Sequence, residues 1–178
     1  MLAIRRAVSV QVRAAEADAL ASAVVTVTGN TICGYVPVGS EPGSVAMLDA
    51  LVADGRRVLL PVVTGAAPLD WTEYTGPDSL VPGPHGLREP AGRRLGPAAI
   101  GRAQAVLVPA LAVDRLGVRL GRGGGHYDRS LPLAAAGAAL VGVIRDEEWV
   151  TRLPDEPHDV RMTAVLTPRL GLVALPRP

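Results

Sequence analysis

The sequence predicts an α/β fold of three layers (α/β/α): a mostly parallel, Rossmann-like open sheet with helices on both faces. Three observations lead there. The strand-length segments Val58-Leu-Leu60, Gln104 to Val108, Leu140 to Ile144 and Ala164 to Leu166 are near-continuous apolar runs, as parallel strands buried on both faces are. Stretches of helical composition separate them, which suits crossover connections. A glycine-rich segment follows one such run, where open parallel sheets place ligand loops.

Taken in order, residues Ala3 to Val24 are rich in Ala, Arg and Glu and read as one helix, closed by Thr28-Gly-Asn30. Thr31 to Val36 is a β-branched run and the first strand. Ser44 supplies a side-chain oxygen to cap a helix over Val45 to Ala53, which Asp54-Gly55 stops. Arg57 to Val63 is the second strand, and the runs beginning at Gln104, Leu140 and Ala164 are the third, fourth and fifth. Thr64 to Pro97 reads as an irregular Gly/Pro-rich connection, long enough to be a functional lid or an excursion without regular structure.

At 178 residues one domain, 1–178, is the expectation, and it is long enough to bury a real core. A net charge of +1 gives no bulk electrostatic case for nucleic acid or an acidic membrane surface. No apolar run approaches a membrane span, and no signal-peptide pattern opens the chain. The lone Cys33 excludes an internal disulfide and fits a reducing cytoplasm. A monomer is expected.

The densest chemistry lies in Arg119-Leu-Gly-Arg-Gly-Gly-Gly-His-Tyr-Asp-Arg129. Gly121 and Gly123 to Gly125 let the backbone approach a ligand and turn its N–H groups toward it. Arg119, Arg122 and Arg129 add forked, permanently charged donors suited to phosphate oxygens. Asp128 adds a hard oxygen of the kind Mg²⁺ takes beside phosphates. The segment is not a Walker loop, which requires lysine; all 18 basic residues of this chain are arginine. Nor is it the dinucleotide fingerprint, since His126 stands where the third glycine belongs. On composition alone, a solvated surface loop explains it equally well.

With its upstream context, Leu107-Val-Pro-Ala-Leu-Ala-Val-Asp114, this segment resembles the signature of the 5-formyltetrahydrofolate cyclo-ligase family: V-P-G-L-A-F-D, a turn, then R-L-G-x-G-x-G-Y-Y-D. Tyr35-Val-Pro-Val-Gly-Ser-Glu41, Gly86-Leu-Arg-Glu-Pro90 and Leu153-Pro-Asp-Glu-Pro-His-Asp159 resemble three further family blocks, in order and spacing. The resemblance runs from about residue 32 to residue 167. It implies ATP- and Mg²⁺-dependent closure of 5-formyltetrahydrofolate to 5,10-methenyltetrahydrofolate, with release of ADP and phosphate.

It also implies roles. Arg119, Leu120, Gly121, Arg122, Gly123, Gly124, Gly125, His126 and Tyr127 would form the ATP-phosphate loop, with Arg119, Arg122 and Tyr127 catalytic. Gly123 to His126 would also approach the folate. Glu41 would hold the pterin and Val36 would touch it. Asp128 and Asp159 would be metal ligands; taken singly they also read as a helix-start acid and a turn acid. Trp71 in the long connection suits stacking on the pterin, or else fastens that stretch to the sheet. His85 and His158 read as structural or solvent-facing. The family's N-terminal K-x-x-L-R is not found. Arg5 and Arg6 match arginines a few residues after it and are the remaining N-terminal candidates for ATP binding. The first helix therefore reads as about two or three turns short, with weaker ATP affinity expected. Two other readings stay open: a relative that binds folate or nucleotide without turnover, and a different α/β phosphate-binding enzyme such as a sugar-phosphate isomerase.

Overall fold

The computed structural model describes residues 2–83, 88–156 and 159–176. His85, Gly86 of the Gly86–Pro90 block, and His158 lie outside them. The central sheet has seven strands: β1 (Thr31–Cys33), β2 (Arg57–Val62), β3 (Asp70–Tyr74), β6 (Ala105–Pro109), β9 (Ala139–Val143), β11 (Ala164–Thr167) and β12 (Gly171–Ala174), in spatial order β12-β11-β9-β6-β1-β2-β3. The five strands expected from the apolar runs are the five parallel ones. β3 and β12 close the two edges antiparallel.

Each parallel strand divides its side chains between two cores. Ile32, Val58, Leu60, Leu107, Val141 and Leu166 point to one face, and Cys33, Leu59, Val106, Leu140 and Val165 to the other. Side chains alternate along a strand, so a run apolar at every position needs cover on both faces. The first face is covered by α2 (Val10–Ala23) and α3 (Val45–Ala53), through Leu20, Met47, Leu48 and Leu51. Each such fully buried side chain contributes roughly 1.5–3 kcal/mol. The second face carries mostly 3₁₀ turns, over Pro97–Arg102 and Leu131–Leu133, together with the short α4 (His126–Ser130).

Two expectations are corrected. The N-terminal helix is two helices, α1 (Leu2–Ala7) and α2, because Ser9 adopts extended backbone and its hydroxyl accepts from Val12 N at 3.2 Å as an N-cap. The connection Thr64 to Pro97 is not irregular throughout. It contains β3 and the pair β4 (Leu80–Pro82) and β5 (Arg88–Pro90). Asp-Trp-Thr-Glu-Tyr lacks a clean two-residue alternation, because this edge strand is covered on both faces: Trp71 packs in one core and Tyr74 in the other.

A second, small sheet hangs beyond the end of β6. There β7 (Ala112–Asp114) pairs with β8 (Arg119–Leu120) and β10 (Trp149–Val150). Asp114 is fully buried and builds the β7–β8 turn: its Oδ1 accepts from Leu116 N and Val118 N, and its Oδ2 from Leu153 N. Accepting from three backbone donors is how a buried carboxylate is tolerated there. The β7–β8 hairpin delivers the glycine-rich segment.

Candidate active site

Beyond the carboxyl ends of β1, β2 and β6 lies a cavity of about 470 Å³. Its floor comes from those strand ends: Tyr35 and Val36 after β1, Val62 and Val63 at the end of β2, and Pro109 ending β6. One side is the 119–128 segment, another is Glu41, and β5 stands opposite with Arg88 to Pro90. Two segments about 80 residues apart in sequence thus meet on one cavity, as the crevice rule for open parallel sheets requires.

Of the residues expected in the site, Val36, Glu41, Arg119, Gly121, Arg122, Gly123 to Gly125, His126, Tyr127 and Asp128 line this cavity. Gly123 (φ 85°) and Gly125 (φ 65°) hold left-handed backbone, which costs glycine least. At Gly121 a Cβ would lie 2.8 Å from Arg119 Nη1, so the guanidinium occupies the space a side chain would need.

Several charges of the site already have partners. Arg119 Nη2 donates to Asp128 Oδ1, and its guanidinium lies 5.9 Å from the centre of the Tyr127 ring. Glu41 is 11% exposed at its side chain. Its Oε2 accepts from Val38 N at 2.8 Å, while Oε1 lies 3.5 Å from Arg122 Nε. Arg129 turns back onto its own loop, donating to Gly124 O at 3.1 Å and standing 3.2 Å from His126 Nδ1. Ser130 fastens the base of α4, donating to His126 O and accepting from Leu69 N.

Tyr127 carries a buried hydroxyl with no hydrogen-bond partner among the described residues. Burial pushes its pKa upward, with smaller upward contributions from Cys33 and Glu41 and an opposing one from Arg119. The group is a neutral phenol at physiological pH. Burial likewise raises the Cys33 thiol, which is wholly covered in the core and unsuited to nucleophilic work.

Five expected residues are not on the cavity wall. Trp71 sits on β3 with 0% exposure and packs among Leu59, Leu69 and Ile100, so it fills the core and offers no face to a ring. Its place in an edge strand, not a loop, is the reason. Arg5 is buried against Glu148 and Arg6 is exposed on α1; neither lines the cavity. Leu120 is 41% exposed and alternates away from it. Asp159 accepts from Glu156 N at 2.9 Å within its own turn and is absent from the wall. Conversely, Val62, Val63 and Leu69 join the wall without having been singled out. Their position at the carboxyl end of β2 is the signal that could have marked Val62 and Val63.

Among the described residues no three His, Cys, Asp or Glu side chains cluster as a metal site. Mg²⁺ bound with a nucleotide does not need one, since it takes one or two carboxylates and fills its remaining positions with phosphate oxygens and water. Asp128, 53% exposed at the cavity's edge beside arginines, fits that requirement.

Comparison with known proteins agrees with this architecture. The model of the 5-formyltetrahydrofolate cyclo-ligase family matches residues 1–168. A Mycolicibacterium smegmatis protein named 5-formyltetrahydrofolate cyclo-ligase is 52% identical over 182 residues, covering 98% of this chain and 93% of its own. An Escherichia coli protein of the same name is 30% identical over 145 residues, 80% of each chain. The NMR structure of Aquifex aeolicus 5,10-methenyltetrahydrofolate synthetase superposes with a TM-score of 0.80 at 25% identity, covering 99% of this chain and 90% of that one.

Proposed function

Because this chain belongs to the 5-formyltetrahydrofolate cyclo-ligase family, we propose that it converts 5-formyltetrahydrofolate to 5,10-methenyltetrahydrofolate with ATP and Mg²⁺, in the cavity bounded by Glu41 and the 119–128 loop. The convergence of those two segments carries the reading. A formyl oxygen is a poor leaving group. Transfer of the ATP γ-phosphoryl to it forms a P–O bond, breaks the bond to the β-phosphate and releases ADP. N10 of the folate then attacks the formyl carbon; the C–O bond breaks, phosphate leaves, and N10 loses its proton. No protein nucleophile is required, so catalysis rests on positioning and charge.

Each residue has a role in that scheme. Glu41 accepts hydrogen bonds from the N–H edge of the pterin, displacing its loose contact with Arg122. Val36, Val62 and Val63 supply apolar surface against the ring. The N–H groups of Gly123 to Gly125 and the guanidinium groups of Arg119 and Arg122 bind phosphate oxygens. The Tyr127 hydroxyl donates to oxygen at the reacting centre, which supplies the partner it lacks. Asp128 would hold Mg²⁺, which when bound neutralises phosphate charge. Asp159 would serve as a second ligand only after its turn moved toward the wall.

The test is direct: incubate the protein with 5-formyltetrahydrofolate, MgATP and buffer, and follow the absorbance of the methenyl product together with ADP release. Stoichiometric appearance of both supports the reading. Binding of both ligands without turnover would identify a non-catalytic relative, and no binding of either would overturn the site assignment.

A further inference from the structure

Among the described residues, Arg5 is the only buried arginine, at 1% exposure. It lies on α1, away from the cavity wall. Its Nε donates to Glu148 Oε1 at 2.5 Å and its Nη2 to Glu148 Oε2 at 2.6 Å, a forked pair. The same Nη2 donates to Ala110 O. Glu148, 5% exposed in the turn before β10, also accepts from Arg145 N at 2.9 Å. An ion pair taken this far from water is costly, and well-packed apolar residues are often as stable. Its geometry suggests another use.

The peptide unit that Arg5 grips has two ends. Its carbonyl belongs to Ala110 and its N–H to Leu111. That N–H donates to Leu120 O at 2.8 Å, the bond that continues the β7–β8 hairpin toward its open end. Leu120 is the residue before Gly121, and Arg119 stands opposite Val113 in the same hairpin. A cation on a peptide's oxygen polarises its N–H and fixes its plane, so one hydrogen bond strengthens the next. Arg5 is therefore two hydrogen bonds from the start of the glycine loop.

Resting on the functional reading above, we propose that Arg5 is a positioning residue for nucleotide: through the Ala110–Leu111 peptide it sets the register of Leu120 and hence the placement of the Arg119 to Gly125 phosphate loop. The Glu41 side of the cavity hangs from β1, with Glu41 held by Val38 N at 2.8 Å, and meets the loop through long contacts of Arg122, 3.5 Å from Glu41 Oε1 and 3.5 Å from Val38 O. Loss of Arg5 should therefore separate the two substrates.

The experiment measures dissociation constants for MgATP and for 5-formyltetrahydrofolate by calorimetry, with melting temperature recorded alongside. In the variant R5M/E148L the buried charges are removed together, so no ion is left unpaired, while the Ala110 carbonyl loses its donor. MgATP binding should weaken by about tenfold, with folate binding within about twofold of wild type. Glu148→Gln leaves Arg5 on the Ala110 carbonyl and should bind MgATP nearly as wild type. MgATP affinity unchanged in R5M/E148L overturns the proposal, and so does a parallel loss of both ligands, which would make Arg5 merely structural. Should the double variant not fold, Arg5→Lys decides: the ammonium ends a bond short of the Nη2 position that holds both Ala110 O and Glu148 Oε2, so selective MgATP loss supports the proposal and wild-type affinity overturns it. A wild-type protein that binds folate and MgATP keeps the functional reading whichever way Arg5 falls; one that binds neither removes that reading first.

Discussion

Arg119 and Asp128, nine residues apart, are ion-paired across the mouth of the glycine loop. The side chain proposed to bind phosphate and the one proposed to bind the metal thus neutralise each other in the free protein. The arginine is almost buried and the aspartate half exposed, at 8% and 53% of their side-chain surfaces. Asp128 is the partner free to be drawn out toward an ion.

Asp128→Asn should abolish turnover while leaving the fold intact. A pair with one partner so exposed is worth roughly 0–1 kcal/mol after solvent screening, so melting should shift by only a few degrees. Activity should fall by at least about a hundredfold if the carboxylate holds the ion needed for phosphoryl transfer. Steady-state assays across a Mg²⁺ titration, beside a thermal melt, check both. A folded variant with normal activity and Mg²⁺ dependence removes Asp128 from the metal site.

Glu41→Gln should weaken 5-formyltetrahydrofolate binding about ten- to hundredfold, the loss of a charge-assisted bond worth roughly 1.5–3 kcal/mol. The amide oxygen can still accept from Val38 N, so the segment should keep its shape. MgATP binding should stay near normal. Equal folate affinity in variant and wild type would place the pterin elsewhere.

The sheet was legible because its five parallel strands are continuous apolar runs, a pattern forced by burial on both faces. The edge strand at Trp71 was not, because Gly and Pro on either side of Asp70–Tyr74 read as loop and antiparallel edges are short. The glycine loop and Glu41 stood out only through the family blocks that hold them, because on composition alone the loop reads equally well as solvated surface. The burial of Arg5 was not legible: its match to family arginines suggests ATP, and nothing in the sequence reveals that Glu148, 143 residues away, buries it.

Trp71→Phe and Trp71→Ala should separate packing from binding. Trp71 is fully covered, so truncation to alanine should cost about 3–5 kcal/mol of stability. The phenylalanine variant should lose less and keep folate affinity within about twofold of wild type. Equilibrium urea unfolding and folate titration measure the two quantities. A large loss of folate affinity in a stable Trp71→Phe protein would restore it as a ring contact.

Stability should decline on the alkaline side. Burial raises the Cys33 thiol and the Tyr35 and Tyr127 phenols. These groups stay neutral in the folded chain but ionise near about 8.5 and 10 when unfolded. Their contribution is complete below those values and is lost progressively as pH rises from them toward the raised folded-state values, because the unfolded state releases protons that the folded state keeps. Urea midpoints from neutral pH to about pH 10 should fall, beginning near the thiol value, and Cys33→Ala should remove that first decline. Parallel profiles for the two proteins would show that Cys33 titrates normally.

Tyr127→Phe should move stability and catalysis in opposite directions. The hydroxyl is buried without a partner among the described residues, and leaving such a group unsatisfied costs roughly 1–3 kcal/mol. The phenyl ring keeps the apolar contacts of Tyr127 against its core neighbours. The variant should therefore melt at or above the wild-type temperature. If the hydroxyl donates to oxygen at the reacting centre, its removal should lower kcat by about ten- to a hundredfold, with KM for both substrates changed little, because a bond made chiefly in the transition state is lost. Steady-state kinetics and a thermal melt on the same preparation decide the matter. A variant that is less stable and fully active would mean that the hydroxyl has a structural partner and no part in the chemistry.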